Sequence, residues 1–377
     1  MQKQLLIVWV YFPAVGHFVE AMEVAANFRK AYPNYKIDIL VNDQTVFELG
    51  EFCDWIDTVY AINVEKVSLN NQNTEKLENL QCLYDYIIFP KRLKYTPNDF
   101  PQSLLRCNLF LQDYLKPNVW GGYNDDNTND VLAIKEDLYS EFQMKLPESA
   151  LKSAQSKISG HPIFSIVLKG ASHETIWPSL STWKKILLAI KKTYPNAVFL
   201  ITGLTKIHTK IDQPPDQVKR ELDNFIKSIP GAINCYDIGL VNQLAVIQLS
   251  NVFISPHTGF AFLAPCVGTP WLALSGTRWS EPMIAHLPFY YILPSCSHYP
   301  CNNDMKLECK LRLKLHVPVK CMADLSNRNE EILNGIQKLL DTSYTFKDSF
   351  EHYDFEATHK KVNKQKLWRL KEFNKHH

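Results

Sequence analysis

The 377-residue sequence contains no apolar run approaching the roughly 20 residues that a helix needs to cross a bilayer. Even the apolar stretch from Phe253 to Leu274 is interrupted by His257 and by several glycines and prolines. Near the start, Glu20 breaks the segment that begins at Leu5 before a secretory leader could be completed, so no signal peptide is expected. Net charge is almost absent. With 41 Lys and Arg against 39 Asp and Glu, a formal +2, whole-molecule attraction to nucleic acid is weak, and no stripe of aromatic and basic residues compensates. Paired Cys-x-x-Cys motifs are missing as well, although the chain has nine cysteines; without an export signal their default state is the reduced thiol. These absences leave a soluble, cytoplasmic chain as the expectation. A composition 46% hydrophobic and 21% charged is that of a folded chain, long enough for two or three domains.

What is there alternates. Leu5 to Val10 reads as a buried first strand, Val15-Gly16-His17 as a glycine turn, and the run through Ala21, Val24, Ala25 and Phe28 as a helix. Further strands are predicted at Lys36 to Val41, Asp57 to Ile62 and Tyr84 to Phe89, with surface loops at Asn70 to Asn79 and Gly121 to Asn129. After the serine-rich stretch Ser153 to Gly160 the alternation restarts. It runs through a strand at Pro162 to Leu168, a helix at Ser181 to Lys192, strands at Ala197 to Thr202 and Ala232 to Cys235, and helices at Gln217 to Lys227 and Leu240 to Leu249. Strands at Asn251 to Ser255 and Trp271 to Ser275 complete it. The pattern predicts an α/β fold with two Rossmann-like domains, residues 1–157 and 158–340, facing across a cleft. Residues 341–377 form a basic tail: from Ala357 onward seven Lys or Arg accompany one Glu. It is either solvated or a helix around Leu367 and Leu370 packed back onto the first domain.

The chemistry concentrates in Phe253 to Ala264. Buried strand residues end at Pro256-His257-Thr258-Gly259, after which a helix start offers free backbone N–H groups able to hold phosphate without a metal. A purely structural turn is the competing reading. Gly268-Thr269-Pro270, Ser275-Gly276-Thr277 and Arg278 follow and favour the functional one.

These segments carry a resemblance. With the Val15-Gly16-His17 turn and Pro230-Gly231-Ala232-Ile233-Asn234 leading to Leu240 to Ala245, the segment from Ser255 to Gly276 resembles the inverting, two-lobed (GT-B) glycosyltransferases of the bacterial heptosyltransferase family. That family includes the ADP-heptose:lipopolysaccharide and the autotransporter heptosyltransferases. The resemblance spans most of both predicted domains and implies a first domain for the acceptor and a second for the nucleotide sugar. It places Thr258, Gly259, Leu263 and Ala264 near the donor phosphates, with His257 either binding the donor or organising the turn, and Arg278 and Glu281 near the nucleotide or sugar; the bland reading of Glu281 is a local cap. In Lys169-Gly170-Ala171-Ser172-His173 it implies that Lys169 neutralises phosphate and Ser172 donates a hydrogen bond, against a solvated loop charge.

Two departures stand out. Where the family pattern has Gly-Asp, with Asp as the base for the acceptor hydroxyl, this chain has Gly16-His17. His17 can take that proton, while a structural histidine, a phosphate contact, or Glu20 or Asp85 as base remain open readings. His257 replaces a second acidic position. Cys296, Cys301, Cys309 and Cys321 form a separate cluster, with separations of five, eight and twelve residues. Four soft ligands suit a closed structural zinc or iron site, with free thiols or disulfides as alternatives, and a subgroup of the family carries an iron-associated cysteine cluster in this region.

The implied reaction is inverting transfer of a sugar, heptose from ADP-heptose being favoured, onto a glycan, lipid-linked or protein hydroxyl, without a catalytic metal. A lipid-linked acceptor would place the enzyme peripherally at the inner face of a bacterial membrane. Oligomeric state is left open. The competing functions are a non-catalytic nucleotide-sugar-binding protein and a two-domain sugar-nucleotide epimerase.

Overall fold

Leu5 to Val10 lack any polar side chain, as a strand covered on both faces requires, and they form the centre of the first of two parallel sheets. The computed structural model describes residues 2–10, 14–62, 84–90, 109–115, 142–170, 176–208, 215–276, 286–301, 305–367, 370–371 and 373–374. Both expected surface loops, Asn70 to Asn79 and Gly121 to Asn129, lie outside the described residues. The chain divides into two units, Met1–Lys145 and Leu146–His377.

The first unit runs β1 (Gln4–Trp9), α1 (Val15–Ala31), β2 (Lys36–Asn42), β3 (Thr58–Ile62), β4 (Tyr86–Pro90) and β5 (Leu109–Leu115). All pairings are parallel, in the order β3-β2-β1-β4-β5, with Leu5 opposite both Ile37 and Tyr86. Strands added after β1 go to one side of it, and β4 and β5 go to the other. The chain therefore reverses direction between β1 and β4, leaving a crevice at the carboxyl ends of those strands. Along α1, Phe18, Met22, Ala25 and Phe28 recur at helical spacing and are fully buried.

The second unit begins with α2 (Glu148–Gln155), which packs on the later helix α5 (Leu240–Gln248). Its residues thus join the second unit although they precede the break expected after residue 157. Then come β6 (Ile163–Val167), α3 (Leu180–Thr193), β7 (Val198–Gly203), α4 (Pro215–Lys227), β8 (Ala232–Tyr236), α5, β9 (Val252–Pro256), α6 (Leu263–Cys266), β10 (Trp271–Leu274) and β11 (Phe289–Ile292). The helices α7 (Leu307–Lys314), α8 (Lys320–Ala323), α9 (Asn329–Leu340) and α10 (Phe346–His359) complete it. The six strands are parallel in the order β11-β10-β9-β6-β7-β8, so the reversal here lies between β6 and β9. One core runs through the unit from Phe164, Trp183 and Phe199 to Leu272, Ile292 and Ile336, and the Trp183 indole donates to the Leu168 carbonyl at 2.9 Å.

The carboxyl-terminal region belongs to this unit. Phe289 and Tyr291 of β11 meet Phe350 and Tyr353 of α10, Phe373 stacks on Phe350 at 4.3 Å, and Leu367 and Leu370 are buried. Several of its basic groups serve internal ion pairs. Lys360 holds Glu331, Glu356 at 3.0 Å and the Leu293 carbonyl at 3.1 Å, and Lys364 holds Asp354 at 2.6 Å.

Candidate functional site

Parallel sheets gather chemistry at the carboxyl ends of strands flanking a reversal, because the loops on either side diverge there and leave room for a ligand. In the second unit that position is held by Lys169 and Gly170, just past β6, and by His257 and Thr258, just past β9. The two turns touch. A Cβ on Gly170 would lie 2.9 Å from Thr258 Cβ and 3.2 Å from Trp177 Cζ2, so only glycine permits this approach without displacement. Thr258 caps the single turn Gly259–Phe262, its hydroxyl accepting from the Ala261 N–H at 3.4 Å, and α6 follows directly.

The neighbouring strand ends add polar groups, of which His208, Tyr236, Asp237 and Thr205 lie outside every segment that the sequence reading singled out. His208, in the turn after β7, lies 2.9 Å through Nε2 from the hydroxyl of Tyr236 at the end of β8. Burial first, and then the positive charge of Lys169, push the His208 imidazole down to about 3, so it is neutral at pH 7. Asp237 accepts from the backbone N–H and hydroxyl of Thr205, tying the β7 and β8 loops together, and Gln243 of α5 accepts from the Gly203 N–H at 2.9 Å. Ser255 in β9 and Ser275 after β10 bury hydroxyls that have no partner among the described residues, spare hydrogen-bonding capacity at the same end of the sheet. For Tyr236, Ser255 and Ser275 the signal is positional, since each ends or immediately follows a predicted parallel strand; His208 and Gln243 carry no such signal.

His257 is buried among aromatic rings, edge-on to Phe262 at 5.1 Å and Trp271 at 6.4 Å, and burial pushes its imidazole down to about 3. A neutral ring does not neutralise phosphate charge, and what it offers at this turn is packing and one ring N–H. Leu263 and Ala264 are fully buried. Lys169 is half-buried beside Gly170, within electrostatic reach of His208. Ser172, Arg278 and Glu281 lie outside the described residues.

In the first unit, the β1–α1 turn places His17 in the opening turn of α1, whose N-cap Ala14 offers no side-chain cap. His17 Nδ1 lies 2.9 Å from Glu20 Oε2, and the same oxygen accepts from the Trp9 indole at 3.1 Å. The imidazole is 23% exposed and the carboxylate 7%, so the histidine reaches solvent while its partner is held in the core wall. Asp85, the other acid considered, receives the Gln4 N–H at 2.8 Å and so sits at the amino end of β1, the opposite edge of the sheet from His17.

The four cysteines of the expected cluster are all among the described residues. Among the described residues no group of three or more His, Cys, Asp or Glu side chains is placed to hold a metal ion. Cys301 lies within electrostatic reach of Cys296 and Cys309, and burial pushes its thiol up to about 11, toward the protonated form. Cys321 Sγ lies 2.9 Å from where a Gly276 Cβ would stand. Cys301, Cys309 and Cys321 pack as small apolar groups against the core.

No protein-family model matches the sequence, and no curated protein does. Solved structures do. The chain is similar to a family 9 glycosyl transferase from Veillonella parvula, at 13% identity and a TM-score of 0.58 over 90% of this chain and 98% of that one. It is also similar to the ADP-heptose lps heptosyltransferase II of E. coli, at 13% identity and 0.58 over 91% and 100%. A third match is the dodecameric iron-containing heptosyltransferase TibC of enterotoxigenic E. coli in complex with ADP-D-beta-D-heptose, at 11% identity and 0.50 over 90% and 79%. At such identities the likeness is one of fold, and the fold is the expected one: α/β, with two sheet-containing lobes, as in GT-B glycosyltransferases.

Proposed function

We propose that the chain is an inverting glycosyltransferase that takes a sugar from a nucleotide-diphosphate donor and passes it to a hydroxyl of a glycan, lipid-linked or protein acceptor. One observation carries the reading: Gly170 and Thr258 meet at the β6/β9 reversal, bringing a lysine-bearing turn against a helix start. A half-buried cation beside backbone N–H donors suits a diphosphate, whose charge grows as the bond to the anomeric carbon breaks. Lys169 and the backbone at Thr258 and Gly259 take that charge, and Ser172, Arg278 and Glu281 are the further donor contacts by resemblance.

At the first sheet, Glu20 holds His17 through Nδ1, which leaves proton acceptance to Nε2. In the proposed step the acceptor oxygen forms its bond to the anomeric carbon while the anomeric carbon–phosphate oxygen bond breaks. The hydroxyl proton goes to His17 Nε2 and the electron pair leaves with the nucleoside diphosphate. ADP-heptose is the first donor to try.

The test is a panel of ADP-, GDP-, UDP- and dTDP-sugars scored by thermal stabilisation of the full chain, then by nucleotide release in the presence of glycan and peptide acceptors. One selective donor with acceptor-dependent release supports the reading. A donor that binds without turnover makes the protein a binding module, an acceptor-independent change in the free nucleotide sugar makes it an epimerase, and no binding at all refutes the site.

A further inference from the structure

Helices on the surface of a globular unit ordinarily turn their leucines inward. On α7 and at its C-cap three leucines do the opposite. Leu307, Leu311 and Leu315, four residues apart, are 71%, 49% and 72% exposed, and Val317 beyond them is 38% exposed. The inner face of α7 is already occupied: Cys309 and Leu313 pack against the core of the second unit. At 100° per residue the leucines make a ridge that points away from that face, about 12 Å long.

The flanks of the ridge are basic. Lys306, Lys310 and Lys314 repeat at the same four-residue interval, one position before each leucine, and all three are exposed. Arg312 stands on the other flank, anchored through Nε to the Pro318 carbonyl at 2.7 Å, and Glu308 is the single acid between 306 and 315. The rest of the molecule is nearly neutral, so this segment concentrates positive charge beside apolar surface.

We propose that α7 is a membrane-surface helix that seats its leucine ridge in the interface of an anionic bilayer, with Lys306, Lys310 and Lys314 at the headgroups. Charge complementarity selects this occupant. Lysine stems lie along apolar surface while their ammonium groups reach outward, which suits a lipid interface. An antiparallel pairing with a second copy is disfavoured because it would set each row of lysines against its twin, and a parallel one because it would set the lysines beside the Arg312 flank. The inference is independent of the glycosyltransferase reading, since it concerns a different face and needs no turnover.

The experiment is co-sedimentation of the full chain with lipid vesicles, phosphatidylglycerol-containing against pure phosphatidylcholine, at low and high salt. The expected result is a partition coefficient about tenfold or more higher for the anionic vesicles, falling with salt as lysine–headgroup attraction is screened. Replacing the ridge (L307S/L311S/L315S) lowers binding about tenfold or more, and reversing the row (K306E/K310E/K314E) removes the preference for anionic lipid. Both sets of positions are exposed, so circular dichroism and melting temperature should stay those of the parent. If the ridge variant misfolds, the lysine variant and the salt series still decide. Equal binding to both vesicle types, unchanged binding of the folded ridge variant, or a ridge that governs only self-association in the absence of lipid would each overturn the proposal.

Discussion

Two histidines follow central strands of the two sheets, and their surroundings give them opposite chemistry. His17, after β1, has a carboxylate oxygen at 2.9 Å and keeps part of its ring in solvent. His257, after β9, faces Phe262 and Trp271, and burial pushes it down to about 3. The turn that holds His17 has no side-chain cap, whereas the turn after His257 is capped by Thr258. The same residue type thus sits beside a carboxylate, partly in solvent, in one unit and is a neutral group among aromatic rings in the other. The second turn carries no charged side chain of its own and offers backbone donors; under the proposed function that contrast would divide proton handling from phosphate handling.

The sharpest way to break this comparison is at His17. If His17 takes the acceptor proton, His17→Ala should cut kcat by about 10²- to 10⁴-fold while leaving donor-induced stabilisation intact, since general bases contribute about that much. Glu20→Gln should lose less, about tenfold, with kcat falling and donor affinity unchanged, because it orients the ring and touches no substrate. Single-turnover kinetics beside donor titration would separate the two effects. A loss of donor binding in His17→Ala would move the residue to the phosphate side and erase the contrast.

Next in size is a pH effect confined to the second unit. His208 and His257 are held near 3 against an ordinary value of 6.5, so the unfolded chain binds protons first as pH falls. Their contribution to stability is complete above about pH 6.5 and is lost progressively as pH drops from there toward 3. At pH 5 the loss is about 2 kcal/mol for each histidine. Thermal melts at neutral pH and at about pH 5 should show the second unit losing stability, and His257→Asn should flatten its share of that slope. A slope unaffected by the substitution would mean His257 is protonated in the folded state.

Much of this architecture was legible because its strands are short apolar runs bounded by turn residues. Leu5 to Val10, Lys36 to Val41 and Ala197 to Thr202 are each matched within a residue or two by β1, β2 and β7. The β9 turn was legible for the same reason, since Ser-Pro-His-Thr-Gly ends a strand abruptly. What escaped depends on distant partners. Phe289 to Ile292 reads as aromatic, and it becomes an edge strand only because β10 pairs with it and Phe350 and Tyr353 cover it from α10. His208 and Tyr236 are 28 residues apart and meet only because β7 and β8 end at the same edge of the sheet. The cysteines show the complementary limit: sequence spacing brings them to one region but does not say how their sulfurs are aimed, and among the described residues they make no group of three or more ligands placed for a metal ion.

Gly170 tests whether the two turns of the second unit must touch. Gly170→Ala puts a methyl 2.9 Å from Thr258 Cβ, where both neighbours are packed, and overpacking of this kind costs about 1–3 kcal/mol. Melting temperature should fall, and donor-induced stabilisation should fall further than the melting shift explains, because the Lys169 turn is pushed off the helix start. A variant that melts earlier yet binds donor normally would make the contact structural only.

The smallest effect, and the finest distinction, is at Thr258. Its hydroxyl accepts from Ala261 N–H at 3.4 Å, a long bond, so as a cap it should be worth no more than about 1 kcal/mol, the typical cost of replacing such a residue by alanine. Thr258→Ala and Thr258→Ser therefore separate two roles that the geometry superimposes. Serine keeps the hydroxyl and drops the methyl that faces Gly170, so it should restore the cap and any hydroxyl contact to phosphate. Alanine drops the hydroxyl. If phosphate is held by backbone N–H groups alone, alanine should lose about the cap's worth of stability and keep its donor affinity, as a neutral backbone site predicts. If donor affinity falls with alanine and returns with serine, the hydroxyl itself touches phosphate, and the second turn is then less purely a backbone device than its contrast with His17 suggests.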